Sequence, residues 1–284
     1  MLSGEGVPFD ETHSSRLGCK MSEAHKHDLV FDLIISLLRD ADNEHSPLSA
    51  AVHLYNEGWL LRVTLALHFR GISCLPFTPA ANAKWYSEPL LYSHFHARMR
   101  GDDRAESHTH ADAVVGHITI NKDTRRGLAL SSDASQFIVV EAKLASLLQS
   151  RTRNAKGWDQ AVRNVACMAE TISRSDPPRS CDEFDQLGFY VISPEDMIPK
   201  HQALVCDASM SKKIHKRIQQ SEGPQREELD MWRVKWFEPL IRKATIKCIS
   251  WEEVILRCKQ SSPEDGRALD QFYEKCRSVA RSTR

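Results

Sequence analysis

Apolar positions recur along this chain with two different periods, and their alternation sets the expected fold class. In HKHDLVFDLIISLLRD, residues 25–40, Leu29, Val30, Leu33, Ile34, Leu37 and Leu38 fall at the i, i+3 and i+4 spacing of an amphipathic helix. Ser46 followed by Pro47 supplies an N-cap and a first helical position, predicting a second helix that runs to about Phe69 and stops at Gly71. Residues 72–107, broken by Pro76, Pro79 and Pro89, are expected to be loop with one strand. Ala111–Ile120 and Gln136–Lys143 read as two strands of one hairpin, with its turn near Gly127.

A helix is predicted over about 155–174, where Trp158, Ala161, Val162, Val165, Met168, Ala169 and Ile172 make one apolar face. Gly188–Ile192 then reads as a strand, and Ser193-Pro194-Glu195 opens a short helix. Helices over about 208–219 and 226–243, a strand near 244–249 and two further helices follow, the first opened by the S-x-x-E capping box Ser250–Glu253 and the second by Ser262-Pro263. This order predicts an α/β fold, a mixed sheet flanked by helices. Residues 1–24 would be a flexible extension and 25–284 one domain, with a core over about 46–195 and a helical part over 196–284.

Composition narrows the class. The hydrophobic fraction of 41% over 284 residues supplies a core, and no apolar run approaches the ~18 residues of a membrane span. The start, MLSGEGVPFDETHSS, lacks a basic and then apolar leader, so an intracellular, cytoplasmic location without membrane contact is expected. The eight cysteines form no C-x-x-C pair, which argues against a zinc ribbon or a disulfide framework. Thirty-eight basic residues balance 38 acidic ones, so any nucleic-acid contact must rest on a local basic patch.

Candidate chemistry lies in two stretches, SHTHADAVVGHI at 107–118 and FIVVEAK at 137–143. Because a strand alternates faces, Glu141 and Lys143 point the same way. A hairpin about Gly127 pairs residues whose numbers sum to about 255, which sets Asp112 beside Lys143 and Glu141 on the diagonal. Two carboxylates so close repel unless a proton or cation joins them, and a hard cation accepts such oxygens.

An aspartate entering one strand, followed by E-x-K ending the next, resembles the PD-(D/E)XK nuclease superfamily. The resemblance implies a restriction-endonuclease-like mixed sheet. It also implies an Mg²⁺- or Mn²⁺-dependent phosphodiesterase acting on nucleic acid, with DNA favoured and RNA left open. Asp112 and Glu141 would bind the metal with the Ala142 carbonyl, and Lys143 would position the attacking water. Glu57 would match the glutamate of the preceding helix, and Gln160 a glutamine found on the following helix. Ala111 stands where the motif has its proline.

Arg151, Arg153, Lys156 and Arg163 would suit phosphate contacts, or else form a solvated helix entry. Lys212, Lys213, Lys216 and Arg217 make a second basic face. The alternatives are a strand-end salt bridge for Glu141 and Lys143, a solvent-facing helical position for Glu57, and surface amides for Gln160 and Asn164. Two other functions stay open: a nuclease-like module that binds without cutting, and a zinc hydrolase using His108, His110 and Asp112, to which His94 and His96 could be added. A homodimer is also compatible with the sequence.

Overall fold

The computed structural model describes residues 55–96, 105–106, 109–120, 127–148, 151–152 and 155–282. The expected helix over 25–40, the start of the next at Ser46, His108 and Arg153 lie outside these residues, and so do the side chains of Arg151 and Lys156.

The centre is a five-stranded mixed sheet in the order β1 (Lys84–Ser87), β4 (Ala113–Gly116), β7 (Gln136–Ala142), β10 (Gln186–Ser193) and β11 (Thr245–Ser250). β4 runs antiparallel to both β1 and β7, and β10 runs parallel to both β7 and β11. Three two-stranded ribbons lie outside it: β2 (Leu90–Leu91) with β3 (Thr109–His110), β5 (Ile118–Ile120) with β6 (Leu128–Leu130), and β8 (Arg151–Thr152) with β9 (Ala155–Lys156).

Eight α-helices complete the described chain: α1 (Glu57–Phe69), α2 (Gln160–Ser173), α3 (Ile198–Val205), α4 (Asp207–Ile218), α5 (Gly223–Trp232), α6 (Glu238–Lys243), α7 (Trp251–Ser261) and α8 (Pro263–Ser282). The mixed α/β class is therefore as the sequence predicts. None of the described helices is long and apolar enough to cross a membrane.

β7 is buried at every position, as four consecutive apolar residues require. Phe137 and Val139 share their face with Glu141 and join the core cluster that includes Val114 and the apolar side of α2. Val162, Val165, Met168 and Ile172 are all fully buried, and each burial stabilises by about 1.5–3 kcal/mol relative to exposure. On the opposite face, Phe77, in the segment after α1, packs 5.4 Å from the Tyr190 ring of β10.

Several expectations need correction. Helix α1 does not continue from Ser46: Asn56 is extended (φ −135°, ψ 170°) and caps it, its side chain accepting from the Trp59 N–H at 3.0 Å. Helix α2 starts at Gln160 rather than 155, because Gly157 turns the chain at φ +82° and Asp159 caps the helix through the N–H groups of Ala161 and Val162. The helical stretch over 226–243 is continuous but passes through a π turn at Arg233–Phe237, next to Pro239, which has no N–H to give the ladder.

The hairpin differs most. Strand 111–120 is not one strand, since β4 ends at Gly116 and β5 departs with β6 into its own ribbon. Leu128–Leu130, expected as part of a turn, is the second strand of that ribbon. The cause is local. Gly116 has φ +147°, and a Cβ there would stand 2.1 Å from the Gln136 carbonyl oxygen. With the ribbon turned away, β4 meets β7 in the register Ala113↔Val140 and Val114↔Val139. Paired residue numbers sum to 253, not 255, so by extension Asp112 faces Glu141 directly instead of Lys143. The shift of two keeps every side chain on its expected face.

Gly116→Ala should destabilise the protein by about 3 kcal/mol or more, through that backbone clash and the strained φ. Urea unfolding of the variant tests it, and an unchanged midpoint would refute the role given to this glycine.

Candidate functional site

The site forms where β4 begins and β7 ends, around the ammonium of Lys143. Lys143 Nζ stands 2.5 Å from Glu141 Oε1, 3.7 Å from Asp112 Oδ2 and 3.9 Å from Glu57 Oε1. Three carboxylates from β7, the entry to β4 and the first turn of α1 thus converge on one cation. Asp112 Oδ2 also accepts the Ala142 N–H at 2.8 Å, a charge-assisted bond of about 1.5–3 kcal/mol that fixes the two strand ends together.

The backbone after β7 is held just as firmly. The Lys143 N–H donates to Ile192 O at 2.8 Å. The Lys143 carbonyl accepts from Trp251 Nε1 at 2.9 Å, and the Leu144 N–H donates to Glu57 Oε2 at 3.0 Å. Glu57 reaches the site because α1 enters it N-terminus first. Of the expected site residues, Glu57, Asp112, Glu141, Lys143 and Gln160 are brought together.

Glu141 is fully buried, and amides close around it. The Gln160 side-chain NH₂ donates to Oε1, and Asn164 Nδ2 donates to Oε2 at 2.9 Å. The two amides lie one turn apart on α2, so the surface alternative does not apply to Asn164, which is fully buried. Its i, i+4 relation to Gln160 was the available signal. Trp251 gave no such signal: it is the first residue of α7, over a hundred positions from the carbonyl it holds.

Burial pushes Glu141 up to about 8, with the Asp112 charge adding to the rise and Lys143 opposing it. Burial alone would lower Lys143, but Glu141, Asp112 and Glu57 outweigh it and hold the ammonium at about 12. Burial likewise raises Glu57, against the pull of Lys143. His201 of α3 is fully buried, and burial and the Lys143 charge hold it below its usual value. The ion pair is therefore expensive to desolvate and depends on every partner being present.

The three carboxylates supply oxygen donors, the kind a hard divalent cation prefers. Among the described residues no three His, Cys, Asp or Glu side chains stand as a ligand set, since their oxygens turn instead to Lys143, the amides and the backbone.

The other candidates lie elsewhere. Arg163, expected at a phosphate, packs its Nε 3.4 Å from Glu106 Oε2, and the Glu106 side chain is 2% exposed; a buried carboxylate has claimed this cation. Lys213 bonds Asp159 at 2.5 Å, and buried Arg217 lies over the Phe95 ring, so the second basic face is partly consumed in packing. His110 is exposed, with its Nδ1 3.0 Å from Glu88 O. His94 stacks on Trp232 at 4.7 Å and bonds Glu170 at 2.8 Å, while His96 Nδ1 bonds Ser93 O at 3.1 Å.

The raised Glu141 has a stability consequence. Between 4.5, its ordinary value, and about 8 the folded state holds a proton that the unfolded state has released. Its contribution is thus full at low pH and lost as pH rises toward 8. In divalent-free buffer, the melting temperature of wild type relative to Glu141→Gln should fall as pH goes from about 5 to about 9. A pH-independent difference would show that Glu141 is not held protonated.

No family model, curated protein or solved structure matches the chain.

Proposed function

We propose that this protein is a metal-dependent nuclease of the PD-(D/E)XK type, with a restriction-endonuclease-like fold, hydrolysing phosphodiester bonds in DNA in preference to RNA. The observation that carries the reading is the convergence of Asp112, Glu141, Lys143 and Glu57 from three separated segments onto one point, with Gln160 and Asn164 closing it. A strand-end salt bridge needs neither a third carboxylate nor two amides closing on Glu141. Charge supports it too: with no cation present Glu141 is held protonated up to about 8, and a divalent cation would take the place of that proton.

Mg²⁺ or Mn²⁺ would be held by Asp112 and Glu141, assisted by Glu57 and the Ala142 carbonyl, and would supply Lewis-acid polarisation and an acidified water. Lys143, held charged near 12, donates hydrogen bonds and stabilises negative charge developing on the phosphoryl group; it does not serve as a base near neutral pH. Gln160 and Asn164 hold the Glu141 carboxylate in one orientation. In-line attack on phosphorus is the reaction such positioning serves.

A panel of linear and circular, single- and double-stranded DNA and RNA with Mg²⁺ or Mn²⁺ tests the reading. Asp112→Ala, Glu141→Ala and Lys143→Ala should each lower cleavage by about 10²–10³-fold or more. Calorimetric heat of Mn²⁺ binding should vanish in Asp112→Ala. Cleavage that survives all three substitutions would reject the mechanism.

A further inference from the structure

A phosphate approaching this site meets carboxylates first. The Lys143 side chain is 6% exposed, too enclosed to meet a polyanion from solvent. Arg62 is a neighbouring cation that solvent does reach, its side chain 26% exposed. It lies on α1, five residues after Glu57, with Nη2 2.6 Å from Glu88 Oε1 and Nε 3.0 Å from Ser87 Oγ. The guanidinium also lies 5.2 Å from the centre of the Trp59 ring. One turn before it stands Gly58, where a Cβ would be 3.4 Å from Arg62 Nη1, so the guanidinium lies back along the helix.

These contacts tie Arg62 to Asp112. Ser87 pairs with Ala113 across β1 and β4, and the Glu88 N–H donates to Asp112 O at 3.1 Å. Glu88 takes φ +54°, uncommon for a residue other than glycine, and its own carbonyl bonds His110 Nδ1 at 3.0 Å. Its carboxylate is therefore presented to Arg62 by a backbone turn fixed to the site. That carboxylate is 63% exposed, so the ion pair contributes little to stability and is open to competition by another anion.

We propose that Arg62 is a phosphate-binding residue at the rim of the site, and that Glu88 is a built-in competitor which a nucleic-acid backbone phosphate displaces. The proposal rests on reading the site as a nuclease. Trp59 and Ser87 hold the guanidinium in place, so a phosphate can exchange for Glu88 without the cation having to be repositioned.

The test is binding of a short fluorescein-labelled DNA strand, and an RNA strand of the same sequence, to the full chain in EDTA, followed by anisotropy. Glu88→Gln removes the competing charge and should tighten binding by about 3–10-fold. Arg62→Ala should weaken it about 10-fold and lower the salt slope by about one. The double variant should bind like Arg62→Ala, because Glu88 acts only through Arg62. The DNA and RNA arms show which strand supplies the phosphate.

A purely structural ion pair predicts that Glu88→Gln leaves affinity unchanged or lowers it, and that result overturns the proposal even if Arg62→Ala fails to fold. Absence of binding to either strand by wild type overturns it as well. Cleavage by wild type with an unaltered KM and Kd in Glu88→Gln would reject the proposal and leave the nuclease reading standing. The expected binding changes in a protein that cuts no substrate would do the reverse.

Discussion

The ammonium of Lys143 is the constraint on which the site depends. A lysine with its side chain 6% exposed is tolerable only with anions around it, and Glu141, Asp112 and Glu57 arrive from three separate segments to provide them. Each carboxylate brings a second bond: Asp112 to the Ala142 N–H, Glu57 to the Leu144 N–H, and Glu141 to two amides of α2. The charge cluster therefore fixes how β4, β7, α1 and α2 meet. Removing one partner would leave an uncompensated charge as well as a missing contact, so stability and chemistry are coupled here.

Other cations of the domain are engaged by groups outside this cluster. Arg163 serves Glu106, Lys213 serves Asp159, and Arg217 packs on Phe95. Basic residues near a site in sequence are poor indicators of phosphate contact when buried acids compete for them. Arg62 differs in that its acid is exposed, which makes the pairing exchangeable.

How much of the site was legible follows from the range of each signal. Alternation along FIVVEAK put Glu141 and Lys143 on one face without knowledge of any neighbour, and the structure keeps them there. The partner of Glu141 was misplaced by two positions, because Gly116 sends the next strand into a separate ribbon and breaks the assumed hairpin. An even shift preserved the faces and so the chemistry; an odd one would have turned Asp112 away. Glu57 was named through the resemblance, and the helix that carries it begins at Glu57 itself and not at Ser46.

The sequence by itself determined the main helices and core strands, their order and the residues that carry charge into a buried strand, since periodicity and capping act over a few residues. Only the tertiary structure decided the strand register, the closure of Glu141 by Asn164, and the indole of Trp251 on the Lys143 carbonyl. It also decided which acid each arginine meets. Those are contacts between residues tens to over a hundred positions apart, and they are chosen by how whole elements pack, which no local pattern encodes.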